Sequence, residues 1–373
     1  MNGQSPAKDG LAGEAALRCD AMSAYKPDWR EAKERMIDWW SGRKTDRVPA
    51  RVTAPRAGAP PRAAHGTVVE RLLDLPTIFA NLDDELANTF HGGEAFPNHF
   101  VYIGAVIMGA FLGCEPEFRP ESTWQRRLPF SWDEADRVRF DPSNQWWRTW
   151  CDLHRAAAER ARGRYLVSAG GGGAVADVMV NMFGHEEALL AMAERPADVR
   201  RLRDRMLRWG DRMSGEVFGI VAPRQEGHID WLRIWAPGTL SSIQCDVSLM
   251  LSREMFDDLF LDELRHECRR LDYSIYHLDG SGALHHLDSL LSIEELDMIQ
   301  WNPEPAVPSD PLAFAPQLRK MLRAGKKLYL SCRPDRVRAV LEGLGGEGVF
   351  LSISCKTEAE ARQVLRELDR IGT

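Results

Sequence analysis

Tyr273-Ser274-Ile275-Tyr276-His277-Leu278-Asp279-Gly280 opens the most regular part of the chain. It starts as a β-branched and aromatic run and ends in an imidazole and a carboxylate two residues apart. Strand residues at i and i+2 share a face, so His277 and Asp279 converge on one point. From here strand and helix patterns alternate. Strand 273–278 precedes helix 283–290, strand 297–301 precedes helix 311–323, strand 327–331 precedes helix 334–343, and strand 349–353 precedes helix 357–371. Strand-like runs at 48–53, 99–103, 164–168 and 230–234 bring the number to eight. Strand–helix alternation argues a parallel sheet, and eight units predict one (β/α)8 TIM barrel. A doubly wound sheet is the alternative.

At 373 residues the chain has room for such a barrel. Residues 1–27 are small, polar and without period and read as a disordered lead-in; 28–373 read as the barrel domain. Asp28 is a suitable N-cap for a helical extension ending near Ser41. Helices are also predicted at 67–75, 76–88, 144–162, 174–182, 185–193, 196–219 and 252–271. The stretches 54–66 and 113–145 read as loop excursions. A net charge of −7 gives no basic footprint for nucleic acid. No apolar run approaches the ~20 residues of a membrane helix, and the N-terminus lacks the pattern of a secretory signal. Seven cysteines without framework spacing read as reduced, which makes a cytoplasmic location the expectation.

Barrel active sites lie where strands end. Strands five to eight each end in a group able to bind metal or move a proton: His277 and Asp279, Asn302 and Glu304, Cys332, and Cys355. Imidazole, carboxylate and thiolate from separate strands are the ligand types of an open metal site. Asp246, in the loop before the helix at 252, either faces the pocket or caps backbone. His99 and Trp235, at the ends of earlier strand-like runs, are substrate-binding candidates. Arg51 and Arg56, near strand one, are suited to a substrate carboxylate. Gly170 to Gly173 lacks the Lys-Ser/Thr of a phosphate loop and reads as room for backbone to approach a ligand or for a loop to move. His285 and His286 are off the i, i+4 spacing of a helical metal pair and read as structural.

Four segments resemble the uroporphyrinogen decarboxylase superfamily across residues 28–371. They are Asp46-Arg47-Val48-Pro49, the helix start Ser252-Arg253-Glu254-Met255-Phe256, His277-x-Asp279-Gly280, and Cys355 followed by a helix. That superfamily includes zinc-dependent methyltransferases that act on corrinoid proteins. The resemblance implies zinc held by His277, Asp279 and Cys355, with Glu304 or Cys332 as a further ligand. It also implies methyl transfer to or from a separate corrinoid protein, cobalamin entering only through that partner. The methyltransferase branch has His-x-Cys-Gly where this chain has His277-x-Asp279-Gly280, so a harder carboxylate replaces a thiolate. The decarboxylase branch carries an Arg-Gln-Ala-Gly-Arg motif after strand one; Ala54 to Pro60 lacks it, which disfavours a polycarboxylate tetrapyrrole. The rivals are a cofactor-independent decarboxylase or lyase of a small carboxylate, using Asp246 or Asp279, and a non-catalytic ligand-binding protein. Barrels of this size commonly dimerise through loop-rich faces, so a homodimer is an open expectation.

Overall fold

The computed structural model describes residues 22, 24–59, 64–120, 122–170, 174–303 and 310–372. Its strands are β1 (Ala50–Pro55), β2 (Thr89–Gly93), β3 (Asn98–His99), β4 (Pro116–Phe118), β5 (Thr123–Gln125), β6 (Leu166–Val167), β7 (His228–Ile229), β8 (Trp235–Ala236), β9 (Leu240–Gln244), β10 (Tyr273–Asp279), β11 (Met298–Asn302), β12 (Lys327–Ser331) and β13 (Val349–Ser354). The central sheet has seven strands in the order β2-β1-β13-β12-β11-β10-β9. It is parallel except for the antiparallel β1–β2 pair. The four strand–helix units read from the last hundred residues are all present. β3 and β6 form a separate parallel pair and β7 and β8 an antiparallel one. Among the described residues the ladder therefore does not close, and the architecture is mixed α/β with a parallel central sheet.

The predicted strand at 230–234 is the turn between β7 and β8. The Asp230 carboxylate accepts from Leu232 N at 3.0 Å, Arg233 N donates to the Asp230 carbonyl at 3.0 Å, and Arg233 has a φ of 58°. Side-chain-to-backbone bonding of this kind competes with a ladder. The strand that pairs with β10 is instead β9, which begins at Leu240. Of the runs at 99–103 and 164–168 only His99 and Leu166–Val167 lie in a ladder, and helix 252–271 is broken at Phe260 into Arg253–Leu259 and Leu261–Arg269. Asp28 makes no cap bond; its carboxylate pairs with Lys26 Nζ at 2.9 Å. No helix among the described residues is long and apolar enough to cross a membrane.

Alternation along the strands divides the core. Tyr276, Leu278, Ile299, Leu328, Leu330, Leu351 and Ile353 belong to the large cluster under the outer helices. Ile275, Met298, Tyr329 and Phe350 belong to a second cluster on the opposite face, closed off by the Trp29–Trp40 helix. Along this inner face each strand turns polar toward its C-terminal end: Ile275 gives way to His277 and Asp279, Met298 to Gln300 and Asn302, Leu240 to Ser242 and Gln244.

The helical extension thus plugs the inner face below the polar layer. Trp40 is 6% exposed, packs edge-on against Trp39 with ring centroids 4.9 Å apart, and donates from Nε1 to the Trp235 carbonyl at 2.9 Å. Trp40→Ala is expected to lower stability by about 3–5 kcal/mol in urea titration, the usual cost of emptying a buried aromatic site. A loss under ~1 kcal/mol would mean the plug is dispensable.

Candidate metal centre

His277 and Asp279 reach the inner face because Tyr276 and Leu278 between them are claimed by the outer core. Gln300 sits beside His277 in the parallel register, and its Oε1 contacts His277 Nδ1. With an amide oxygen as partner, Nδ1 carries the proton and the Nε2 lone pair is left to bind. Trp231 lies edge-on to the imidazole with ring centroids 5.0 Å apart. Asn302 donates to Asp279 Oδ1 at 2.5 Å, fixing that carboxylate, and Gly280, with a φ of 79°, ends the strand.

Asp246 joins them from the loop after β9. Its backbone is held by Asp177: Asp246 N donates to one Asp177 carboxylate oxygen at 3.0 Å and Val247 N to the other at 2.9 Å. Gln244 donates to Asp246 Oδ2 at 2.9 Å, whereas Oδ1 is buried with no hydrogen-bond partner. One ligand atom from each of Asp246, His277 and Asp279 lies within 4.8 Å of the others. Burial, then the charges of Asp177 and Asp279, push the Asp246 carboxyl up to about 7. Burial also raises Asp177. Crowded carboxyls, an unpartnered oxygen and an imidazole with a free lone pair make a donor set suited to a divalent cation.

The other sequence candidates lie elsewhere. Cys332 and Cys355 are not members of this group. Each continues the parity of the outward residues before it and is buried in the outer cluster. Burial pushes their thiols up to about 12 and about 11. Cys332 Sγ donates to the Arg333 carbonyl at 3.4 Å. Glu304 lies outside the described residues. Trp235 is 2% exposed and packs edge-on against Trp29 at 5.8 Å, while its Nε1 donates to the Glu226 carbonyl at 2.8 Å, so it serves the plug rather than the pocket. His99 lines a separate cavity of about 230 Å³ with Glu85 and Arg233; burial, then Arg233, depresses it to about 4. Arg51 is on the inner face and donates to Ser352 Oγ at 3.3 Å. Arg56 donates to the Thr89 carbonyl at 3.4 Å in the loop after β1. His285 and His286 bond backbone carbonyls, in keeping with a structural part.

Sequence reasoning passed over Asp177, Asp230, Trp231 and Gln300. The i, i+2 parity that selected His277 would have selected Gln300 in the next strand. Asp177 was marked by being the one acid in Val175–Phe183, an otherwise apolar helix. Asp230 carries no such mark; in the fold it is buried, bonded by Ser242 Oγ, and pushed up to about 6 by burial.

A cavity of about 890 Å³ adjoins the group and is lined at one end by Trp231, Gln244 and Asp246. No family model and no curated protein sequence matches this chain. Among solved structures, a methyltransferase from Methanosarcina mazei is similar, with a TM-score of 0.56 over 91% of this chain and 98% of that one. The chain shares the fold of that protein. The two sequences are 13% identical, so the likeness is one of fold.

Proposed function

We propose that the protein is a methyltransferase-like enzyme of the uroporphyrinogen decarboxylase superfamily, its sheet forming a (β/α)8-type barrel with the site at the C-terminal strand ends. Asp246, His277 and Asp279 would hold a divalent metal, zinc by preference, and a methyl group would pass between a bound substrate and a separate corrinoid protein. The observation that carries this reading is the convergence of the three side chains beside a large cavity. A bound zinc supplies Lewis acidity toward a substrate heteroatom. The chain's own residues do the rest. Gln300 fixes the His277 ring, Asn302 fixes Asp279, and Asp177 anchors the loop that carries Asp246. Trp231 covers the imidazole and limits water.

The test is elemental analysis after zinc loading and gel filtration. One zinc per chain is expected in the parent and in Cys355→Ala, and less than ~0.1 in His277→Ala and Asp279→Ala. Zinc retained by His277→Ala, or no zinc in a folded parent, would overturn the assignment. One observation keeps a lyase reading in view: an Asp246 carboxyl near 7 suits general acid–base work without a metal. Turnover surviving chelation would favour it.

A further inference from the structure

We infer that the cavity of about 890 Å³ around the free edge of β9 binds a bulky, apolar substrate that carries no anionic group. Its position in the chemistry rests on the methyl-transfer reading above; the binding itself does not.

β9 is the last strand of the central sheet, so one of its edges has no ladder partner there. The cavity wraps that edge: it is lined by Ser242 and Gln244, of inner-face parity, and by Ser241 and Ile243, of outer-face parity. Strand β7 lies beside this edge without pairing to it, and Ser242 Oγ bonds the Asp230 carboxylate just after it. Here the opposite wall is the long helix Pro196–Val221. Leu207, Gly210, Asp211, Ser214 and Phe218 line the cavity at spacings of three, one, three and four, which is one helical face.

That face carries small residues where space is left. A Cβ on Gly210 would meet only Met108 Cε, at 4.0 Å. A mid-helix glycine costs about 1 kcal/mol relative to alanine, and nothing in the protein crowds this one into being glycine. The residue leaves volume unused by the protein itself. The remaining wall is apolar and aromatic, with Phe100, Tyr102, Val106, Met108 and Trp124. Trp124, Trp231 and Met250 are exposed at 55%, 38% and 58% and also line it. Open apolar surface continuous with a deep cavity marks a ligand site.

The charges decide the class of ligand. Asp177, Asp211, Asp230, Asp246 and Glu267 line the cavity. Arg270 is the one guanidinium or ammonium group among the described lining residues, and it is bound to Asp211 through both Oδ1 and the backbone carbonyl. Asp246 Oδ1 and Glu267 Oε2 are buried without partners. Away from the metal end, a carboxylate or phosphate would find no guanidinium or ammonium group free to pair with it among the described lining residues. An apolar molecule with a neutral or basic heteroatom meets apolar wall along its body, with the heteroatom placed toward the metal end.

Two fluorescent probes of one ring system test this: neutral N-phenyl-1-naphthylamine and its sulfonated relative, 8-anilino-1-naphthalenesulfonate. The full-length protein should bind the neutral probe at one site, at least about tenfold tighter than the sulfonate. Gly210→Leu and Ser214→Leu, which fill the wall, should each weaken it by at least about tenfold. Both should keep their zinc, since neither touches the metal group. Equal affinity for the two probes, or unchanged affinity in both variants, would overturn the inference. Loss of zinc binding with probe selectivity intact would sink the metal assignment alone.

Discussion

Asp246→Asn is expected to make the metal-free protein more stable at pH 8 and to leave its stability below about pH 3.5 unchanged. The Asp246 carboxyl loses its proton at about 7 in the fold, against an ordinary value near 3.8. Burial is the largest cause, followed by the charges of Asp177 and Asp279. A folded-state value raised above the unfolded one means that the native state holds the proton longer. Stability is therefore full below about pH 3.5, falls as pH rises toward 7, and carries the whole penalty above that. Asparagine is neutral at every pH and escapes the penalty. With partial solvent relaxation the gain at pH 8 is on the order of 2 kcal/mol. The same change should weaken zinc binding by more than ~100-fold, because even outer-shell partners of metal ligands are worth 10–100-fold. Urea titrations at the two pH values, with chelator, measure the first effect; competition with a zinc indicator measures the second. A variant less stable than the parent at pH 8 would show that the carboxylate is satisfied in the metal-free fold.

The C-terminal half was legible because each strand there is a single apolar run with a clear stop. Tyr273–Asp279 ends at Gly280, and Val349–Ser354 begins after Gly348. The stretch between β2 and β9 was not, because its strands barely form. β3 and β6 contribute two ladder residues each, too few for a periodic signal. β9 contains Ser241 and Ser242, weak strand formers on a strand whose free edge borders the large cavity. The turn at 230–234 carries Ile234 and Leu232 and so imitates a strand. The site shows the same division. His277 and Asp279 follow from spacing alone. The cysteines were drawn in by the resemblance and by their position at strand ends. Position is not direction, though: counting by two from Leu328 to Cys332, or from Leu351 to Cys355, keeps both on the helix-facing side. Asp246 and Asp177 meet through a contact between residues 69 apart, which no local pattern encodes.

Glu94→Ala is expected to cost about 3–5 kcal/mol, the range for removing one partner of a buried ionic cluster. The Glu94 side chain is 1% exposed and is shared by two guanidiniums. Arg47 Nη1 and Nη2 reach it at 3.1 and 2.9 Å, and Arg35 Nη1 at 2.7 Å. Ala50 N donates to it at 2.6 Å, so the carboxylate also sets the start of β1. Arg35 grips Asp46 through Nε at 2.5 Å and Nη2 at 2.8 Å, and this bonding holds the Asp46 carboxyl down at about 2. Arg47 reaches on to Asp369 at 3.3 Å and ties in the last helix, Glu358–Ile371. The segment Asp46-Arg47-Val48-Pro49 is therefore a clamp between the helical plug, the first strand and the end of the chain. Its residues bear on whether the chain folds, not on what it transforms, so the motif marks an architecture without naming a chemistry. Asp46 is 68% exposed, and Asp46→Ala should cost under ~1 kcal/mol, as exposed pairs do. The contrast between the two variants in urea denaturation is the check. Equal losses would mean that the buried charges are satisfied by water, and the clamp would lose its claim on the fold.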